Sequence, residues 1–140
     1  MGLGKSQQKM EMSINSKQPV ISTLAEHWKT GRFSDSKWDE KIIVDITTLD
    51  ELIKKFGEPK YIKIDAEGFE HEVILGLTKK SGIISFEFTS EFIEDAFKSI
   101  DYLISLGYLD FSYSLGERRK FYTHWTTANT IKEDIKNNIQ

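Results

Sequence analysis

Apolar and polar positions change period several times along this chain, and each change marks an element. Ile42-Ile43-Val44-Asp45-Ile46 is β-branched and predicts a short strand. Thr48-Leu49-Asp50-Glu51 has the capping-box pattern, in which the Thr hydroxyl takes the Glu51 amide and the Glu51 carboxylate reaches back. Leu49, Leu52, Ile53 and Phe56 follow at helical spacing, Gly57 suits a left-handed C′ position and Pro59 blocks continuation. A helix over 49–56 results. Tyr61-Ile62-Lys63-Ile64 reads as the next strand, Ala66-Glu67-Gly68 as a turn, and 69–77 as a short helix burying Phe69, Val73, Ile74 and Leu77. Ser81-Gly82 breaks the pattern. The nearly continuous apolar run 83–88 then reads as a central parallel strand. Phe92, Ile93, Ala96, Phe97, Ile100, Leu103 and Ile104 give a helix over 90–106 its apolar stripe, and Gly107 ends it. Residues 108–114 and 120–125 read as two strands of a hairpin turned at 115–119. Ile131, Ile135 and Ile139, four apart, mark a terminal helix over 129–139.

The front is less regular. Met10, Met12 and Ile14 alternate and allow an edge strand over 9–14, Pro19 interrupts, and 30–40 is rich in Gly, Ser, Asp and Lys. The 140 residues are read as one domain: an irregular segment 1–41, an α/β core 42–125, and a helix or tail 126–140. Alternating strands and helices predict an α/β layered sheet of mostly parallel strands with a C-terminal antiparallel β-hairpin. In such sheets ligands bind beyond the carboxyl ends of the strands, which directs attention to Asp65, Glu67 and Glu87.

Charge sharpens this picture. The net charge of −3 is unevenly spread: residues 1–64 carry 11 basic and 9 acidic groups, residues 65–95 carry 2 and 8, and residues 96–140 carry 6 and 5. An acidic centre argues against nucleic-acid backbone binding, which needs a basic face. It fits a site for a metal or a cationic ligand, or a solvated acidic surface. The absence of Cys excludes a disulfide scaffold, a thiolate metal site and a catalytic cysteine. No apolar run approaches the ~18 residues of a membrane span, and the N-terminus lacks the apolar core of a signal peptide, so a soluble cytoplasmic protein is expected.

The segment Lys63-Ile64-Asp65-Ala66-Glu67-Gly68-Phe69-Glu70 carries most of the candidate chemistry. Two carboxylates flank a strand-to-helix turn, and Gly68 lets the backbone come close to a ligand or a neighbour. Glu67 has a structural reading as a charge near a helix N-terminus; Asp65 at the end of a buried strand has none as simple. Pairing of the 61–64 and 83–88 strands would bring in Glu87, giving a carboxylate cluster able to act as a general base or to hold a cation. His71 follows Glu67 by four and can share its helix face, or stand exposed beside Glu70 and Glu72. His124 is read as structural or exposed, Trp28, Trp38 and Trp125 as packing residues with pocket lining as the alternative, and His27 in its irregular segment carries no reading. No GxGxxG, Walker, GxSxG or HExxH motif is present.

Thr47-Thr48-Leu49-Asp50-Glu51-Leu52, followed by Tyr61-Ile62-Lys63-Ile64-Asp65-Ala66-Glu67-Gly68-Phe69-Glu70, resembles the FkbM family of S-adenosylmethionine-dependent methyltransferases. The family has a TLDxL helix start and an (I/L)K(I/L)DxEGxE strand–turn–helix. Val73-Ile74-Leu75-Gly76-Leu77, Ile84-Ser85-Phe86-Glu87-Phe88, Leu106-Gly107-Tyr108 and Ile21-Ser22-Thr23-Leu24 resemble further segments, so the likeness spans 9–125. It implies a partial class I methyltransferase (Rossmann-like) sheet and S-adenosylmethionine as cofactor. The implied acceptor is a small molecule with a hydroxyl, on a sugar, polyketide or related metabolite. The implied roles are Asp65 and then Glu67 as catalytic base, Asp65 and Gly68 at the cofactor, and Glu87 and His71 on the substrate side; no metal is implied. The family's DxGAnxG loop and ribose-holding acid have no counterpart here. The expectation is therefore a C-terminal portion, completed by a separately encoded N-terminal half or by a homodimer. The alternative is a non-catalytic remnant that binds a partner chain.

Overall fold

The computed structural model describes residues 1–18, 22–29, 34–116 and 124–138, apart from the side chains of 27–28. The elements are β1 (Gly2–Leu3), β2 (Gln8–Ile14), β3 (Glu40–Thr47), α1 (Leu49–Phe56), β4 (Tyr61–Ile64), α2 (Glu70–Ile74), β5 (Ile83–Phe86), α3 (Ile93–Ser105) and α4 (Ala128–Asn138). Single 3-10 turns occupy Glu26–Lys29 and Ser90–Phe92.

Local chemistry accounts for most boundaries. Thr48 caps α1, its Oγ1 accepting the Glu51 amide at 3.2 Å, and Gly57 closes the helix at φ 93° with its amide on the Ile53 carbonyl. The helix expected over 69–77 is shorter, because beyond Ile74 the bonding tightens: the Gly76 amide bonds the Val73 carbonyl and the Leu77 amide the Ile74 carbonyl, both three residues back. The helix expected from 90 opens as a 3-10 turn and becomes α-helical only at Ile93.

The chain is α/β, but its strands form two small sheets. One has the order β1-β3-β2 and the other is the pair β4-β5. β4 and β5 run parallel with Tyr61 opposite Ile83 and Ile64 opposite Phe86, and β1 is parallel to β3. β2 pairs antiparallel with β3 over seven residues, from Gln8 opposite Ile46 to Ile14 opposite Glu40. The expectation of a mostly parallel sheet is corrected there. A parallel pair needs a crossover, usually a helix, and the β2–β3 connection holds among its described residues only the 3-10 turn Glu26–Lys29 and a Ser13–Thr23 bridge. The expected hairpin is represented by one antiparallel bridge, Phe111 to Thr126, with both amide bonds at 2.8 Å. Most of its second strand and its turn lie outside the described residues, 117–123 being among those not described.

Two hydrophobic clusters hold these layers together. Leu49, Ile64, Phe69, Val73, Ile74, Leu77 and Leu103 form the first, joining α1, β4, α2 and α3. Phe97, Ile100, Tyr113, Ala128, Ile131 and Ile135 form the second, between α3 and α4. Phe86 of β5 and Phe111 touch both. Residues expected at helical spacing, Ile131 and Ile135, are 1% and 2% exposed, so α4 packs by the stripe its sequence shows.

Candidate functional site

The link from β4 to α2 reverses the chain within a few residues. Glu67 and Gly68 both have positive φ, 49° and 88°, and the Phe69 amide closes the turn on the Ala66 carbonyl at 3.2 Å. Two successive positive φ values characterise the mirror-image turns, which favour Gly at the second position and cost about 1–2 kcal/mol at a residue with a side chain. Glu67 therefore precedes α2 and does not share a helix face with His71. Three contacts hold the turn. Glu70 Oε1 accepts the Ala66 amide at 2.8 Å and the Gly68 amide at 3.4 Å. Thr23 Oγ1 donates to the Glu67 carbonyl at 2.8 Å, and Thr23 is itself held by paired backbone bonds to Ser13.

Beyond the ends of β4 and β5 the carboxylates gather. The parallel register that sets Ile64 opposite Phe86 carries Asp65 beside Glu87. Lys63 stands between them, its Nζ 2.7 Å from Asp65 and 3.3 Å from Glu87. The three side chains are 43–62% exposed, so these ion pairs orient the groups more than they stabilise the fold. The two carboxylates raise the affinity of Lys63 for its proton. Glu67 is pushed above the ordinary carboxylate range, first by burial and then by the charges of Asp65, Glu70 and Glu87. Burial pushes Glu70 up as well, against the pull of the amides it accepts.

A small cavity of about 70 Å³ opens at this point, lined by Asp65, Glu67, Gly68, His71 and Glu87 together with Phe86, Phe88 and Phe92. All five residues singled out from the sequence thus meet at one cavity. His71 Nδ1 lies 3.0 Å from Ser99 Oγ, and Ser99 spends its one hydroxyl hydrogen on the Asp95 carbonyl at 2.8 Å. Nδ1 must then carry the hydrogen, which leaves Nε2 as the basic nitrogen of the neutral ring. Burial holds His71 below the usual histidine range, against the opposing charges of Asp95 and Glu72.

On the other side of the Asp65–Glu67 turn lies a larger cleft of about 410 Å³, walled by apolar groups such as Leu3, Met12, Leu24, Ile62, Phe69 and Val73. Asp65 and Glu67 line both spaces, so the turn is the partition between an acidic pocket and an apolar one.

Sequence reading missed Lys63, Glu70, Thr23 and Ser99. Lys63 had a signal, since two residues along a strand share a face and Lys63 precedes Asp65 by two. Glu70 sits at the helix start but reaches back into the turn. Thr23 and Ser99 act across 44 and 28 residues, and no local pattern reveals that. Among the described residues no three His, Asp or Glu side chains come together as metal ligands, and no helix is long and apolar enough to cross a membrane.

A family model described as the methyltransferase FkbM domain matches residues 1–125. No curated protein and no solved structure matches the chain.

Proposed function

The chain belongs to the FkbM methyltransferase family, and from that premise we propose that it is a cytoplasmic enzyme transferring a methyl group from S-adenosylmethionine to a hydroxyl of a sugar, polyketide or related metabolite. One observation carries the reading: within the matched span, Asp65, Glu67 and Glu87 cluster beyond the carboxyl ends of two parallel strands, with Asp65 and Glu67 on a turn that lines two cavities and Glu87 lining the smaller one.

The residues present fit the sulfonium end of that cofactor. Clustered carboxylates attract a positively charged donor, and a 410 Å³ apolar cleft falls within the ~300–1,000 Å³ typical of small-molecule sites. The glycine-rich loop that the resemblance calls for has no counterpart among the 140 residues. The proposal assigns the grip on the adenosine to residues outside these 140, in a separately encoded half or a second copy. When bound, S-adenosylmethionine supplies an activated methyl group. The chain's own part is alignment and proton handling. Asp65, steadied by Lys63, takes the acceptor's hydroxyl proton, and Glu67 is the second candidate for that proton. Gly68 lets the backbone approach the cofactor. Glu87 and His71 hold the acceptor, His71 through the Nε2 that its bond to Ser99 leaves basic.

Calorimetric titration of the 140-residue chain with S-adenosylmethionine, beside Asp65→Ala, tests the reading. Micromolar binding that the variant loses is the expected result where a second copy completes the site; where a separate half completes it, the same titration is run with that half present. Absence of heat with the wild-type chain would refute a working cofactor site in this chain by itself.

A further inference from the structure

We infer that Glu70 is the positioning residue of this site: its carboxylate braces the turn that presents Asp65 and Glu67 to the two cavities. The inference concerns the same site and rests, for its functional half, on the methyl-transfer reading above.

The geometry is specific. Glu70 is the first residue of α2, yet its Oε1 turns back to accept the amides of Ala66, four residues earlier, and Gly68, two residues earlier. Those amides flank Glu67, the residue with a side chain at positive φ among the described ones. A strained residue persists where its surroundings over-determine it. Here the surroundings are the Glu70 oxygen on the amides and the Thr23 hydroxyl on the Glu67 carbonyl. Ala66 is the residue between the two candidate bases. Releasing its amide frees both side chains to change direction, and a misplacement of about 1 Å can cost roughly a hundredfold in rate. Both bonds fall on a single oxygen, so the brace needs a well-placed acceptor and not a charge.

That feature decides the experiment. Glu70→Gln keeps a carbonyl oxygen of the same reach. Glu70→Ala removes the acceptor, and Glu70→Asp retracts it while keeping the charge. Amide hydrogen exchange is read at Ala66 and Gly68, with Ile131 of α4 as a distant reference, and S-adenosylmethionine is titrated into each variant. In Glu70→Ala and Glu70→Asp, protection at Ala66 should fall roughly ten- to a hundredfold, the loss of one hydrogen bond to a charged group. Ile131 should be unchanged and cofactor affinity should fall at least about tenfold. Glu70→Gln should restore both readings toward wild type. If Glu70→Gln loses cofactor affinity as fully as Glu70→Ala while Ala66 stays protected, the carboxylate acts by charge at the ligand and the brace is refuted. Unchanged protection at Ala66 in both Glu70→Ala and Glu70→Asp would refute it as well. A wild-type chain that binds no S-adenosylmethionine would overturn the cofactor reading alone; the exchange comparison would still decide whether Glu70 holds the turn. Should Glu70→Ala fail to fold, Glu70→Asp carries the same comparison.

Discussion

Gly76→Ala tests how the N-terminal strand is seated on the methyltransferase core. A Cβ built on Gly76 would stand 2.4 Å from the Gly4 carbonyl oxygen and 3.1 Å from the Val73 carbonyl oxygen, both of them backbone atoms. To bring the first separation to 3.0 Å, the Gly4 carbonyl must retreat by at least 0.6 Å. Gly4 is buried and its amide bonds the Thr47 carbonyl at 3.0 Å, which is how the chain after β1 stays on β3. Overpacking of this kind costs about 1–3 kcal/mol, and a weakened hydrogen bond adds about 1 kcal/mol. Replacing Gly by Ala where φ is ordinary returns about 0.4–1 kcal/mol by restricting the unfolded chain. The net expectation is a loss of about 2 kcal/mol, or a fall in Tm of roughly 7 °C for a chain of this length. Thermal unfolding by circular dichroism gives the magnitude, and exchange at the Gly4 amide locates it. Gly57→Ala is the control, since Gly57 has φ +93° and nothing within 4 Å of its added Cβ. It should cost stability through backbone strain alone and leave the Gly4 amide protected. A Gly76→Ala variant as stable as wild type, with Gly4 unchanged, would refute the contact. Because Leu3 walls the larger cleft, a confirmed shift would also show that this cleft depends on the N-terminal strand.

Ile74 is fully buried in the first cluster, so Ile74→Ala should cost about 2–5 kcal/mol and Ile74→Val about 1 kcal/mol, measured by urea denaturation. The pH dependence of stability has a definite sign at His71. Its folded-state proton affinity is lowered by burial, with Lys98 and Lys5 acting in the same direction and Asp95 and Glu72 opposing. The unfolded chain therefore binds that proton first, and stability attributable to His71 is present above pH 6.5 and is lost as pH falls from there. Glu67 and Glu70, raised above 4.5, act oppositely: the native state takes their protons first, so they recover stability as pH falls toward 4.5. Urea midpoints between pH 7.5 and 5 should therefore fall less steeply in His71→Gln than in wild type, and an identical slope would refute the assignment.

Much of the α/β core was legible because its cues are local. Thr48 and Gly57 bound α1 as their side-chain and backbone chemistry requires, and β4 matches its apolar run residue for residue. Asp65, Glu67, Gly68, His71 and Glu87 do meet, because a single parallel register links the ends of β4 and β5. Where the reading failed, the deciding contact was remote. The turn at 66–68 was legible, but the helix face expected to join Glu67 to His71 was not formed, and the bond that helps hold Glu67 at positive φ comes from Thr23, 44 residues away. Likewise, α2 tightens at Gly76, where the chain passes against Gly4, seventy-two positions away.

The sequence by itself determined most elements of the core, since caps, turn glycines and hydrophobic period act between residues a few positions apart, and its motifs carry the family resemblance that the family model bears out. It also determined the acidic character of the centre, which is composition. Tertiary structure alone decided which strand pairs run antiparallel, which side chains brace the turn, and that Lys63 stands between Asp65 and Glu87. Those outcomes depend on distances between atoms far apart along the chain. A linear pattern of residue types does not carry such distances; packing sets them, as buried apolar faces and backbone hydrogen bonds are satisfied together.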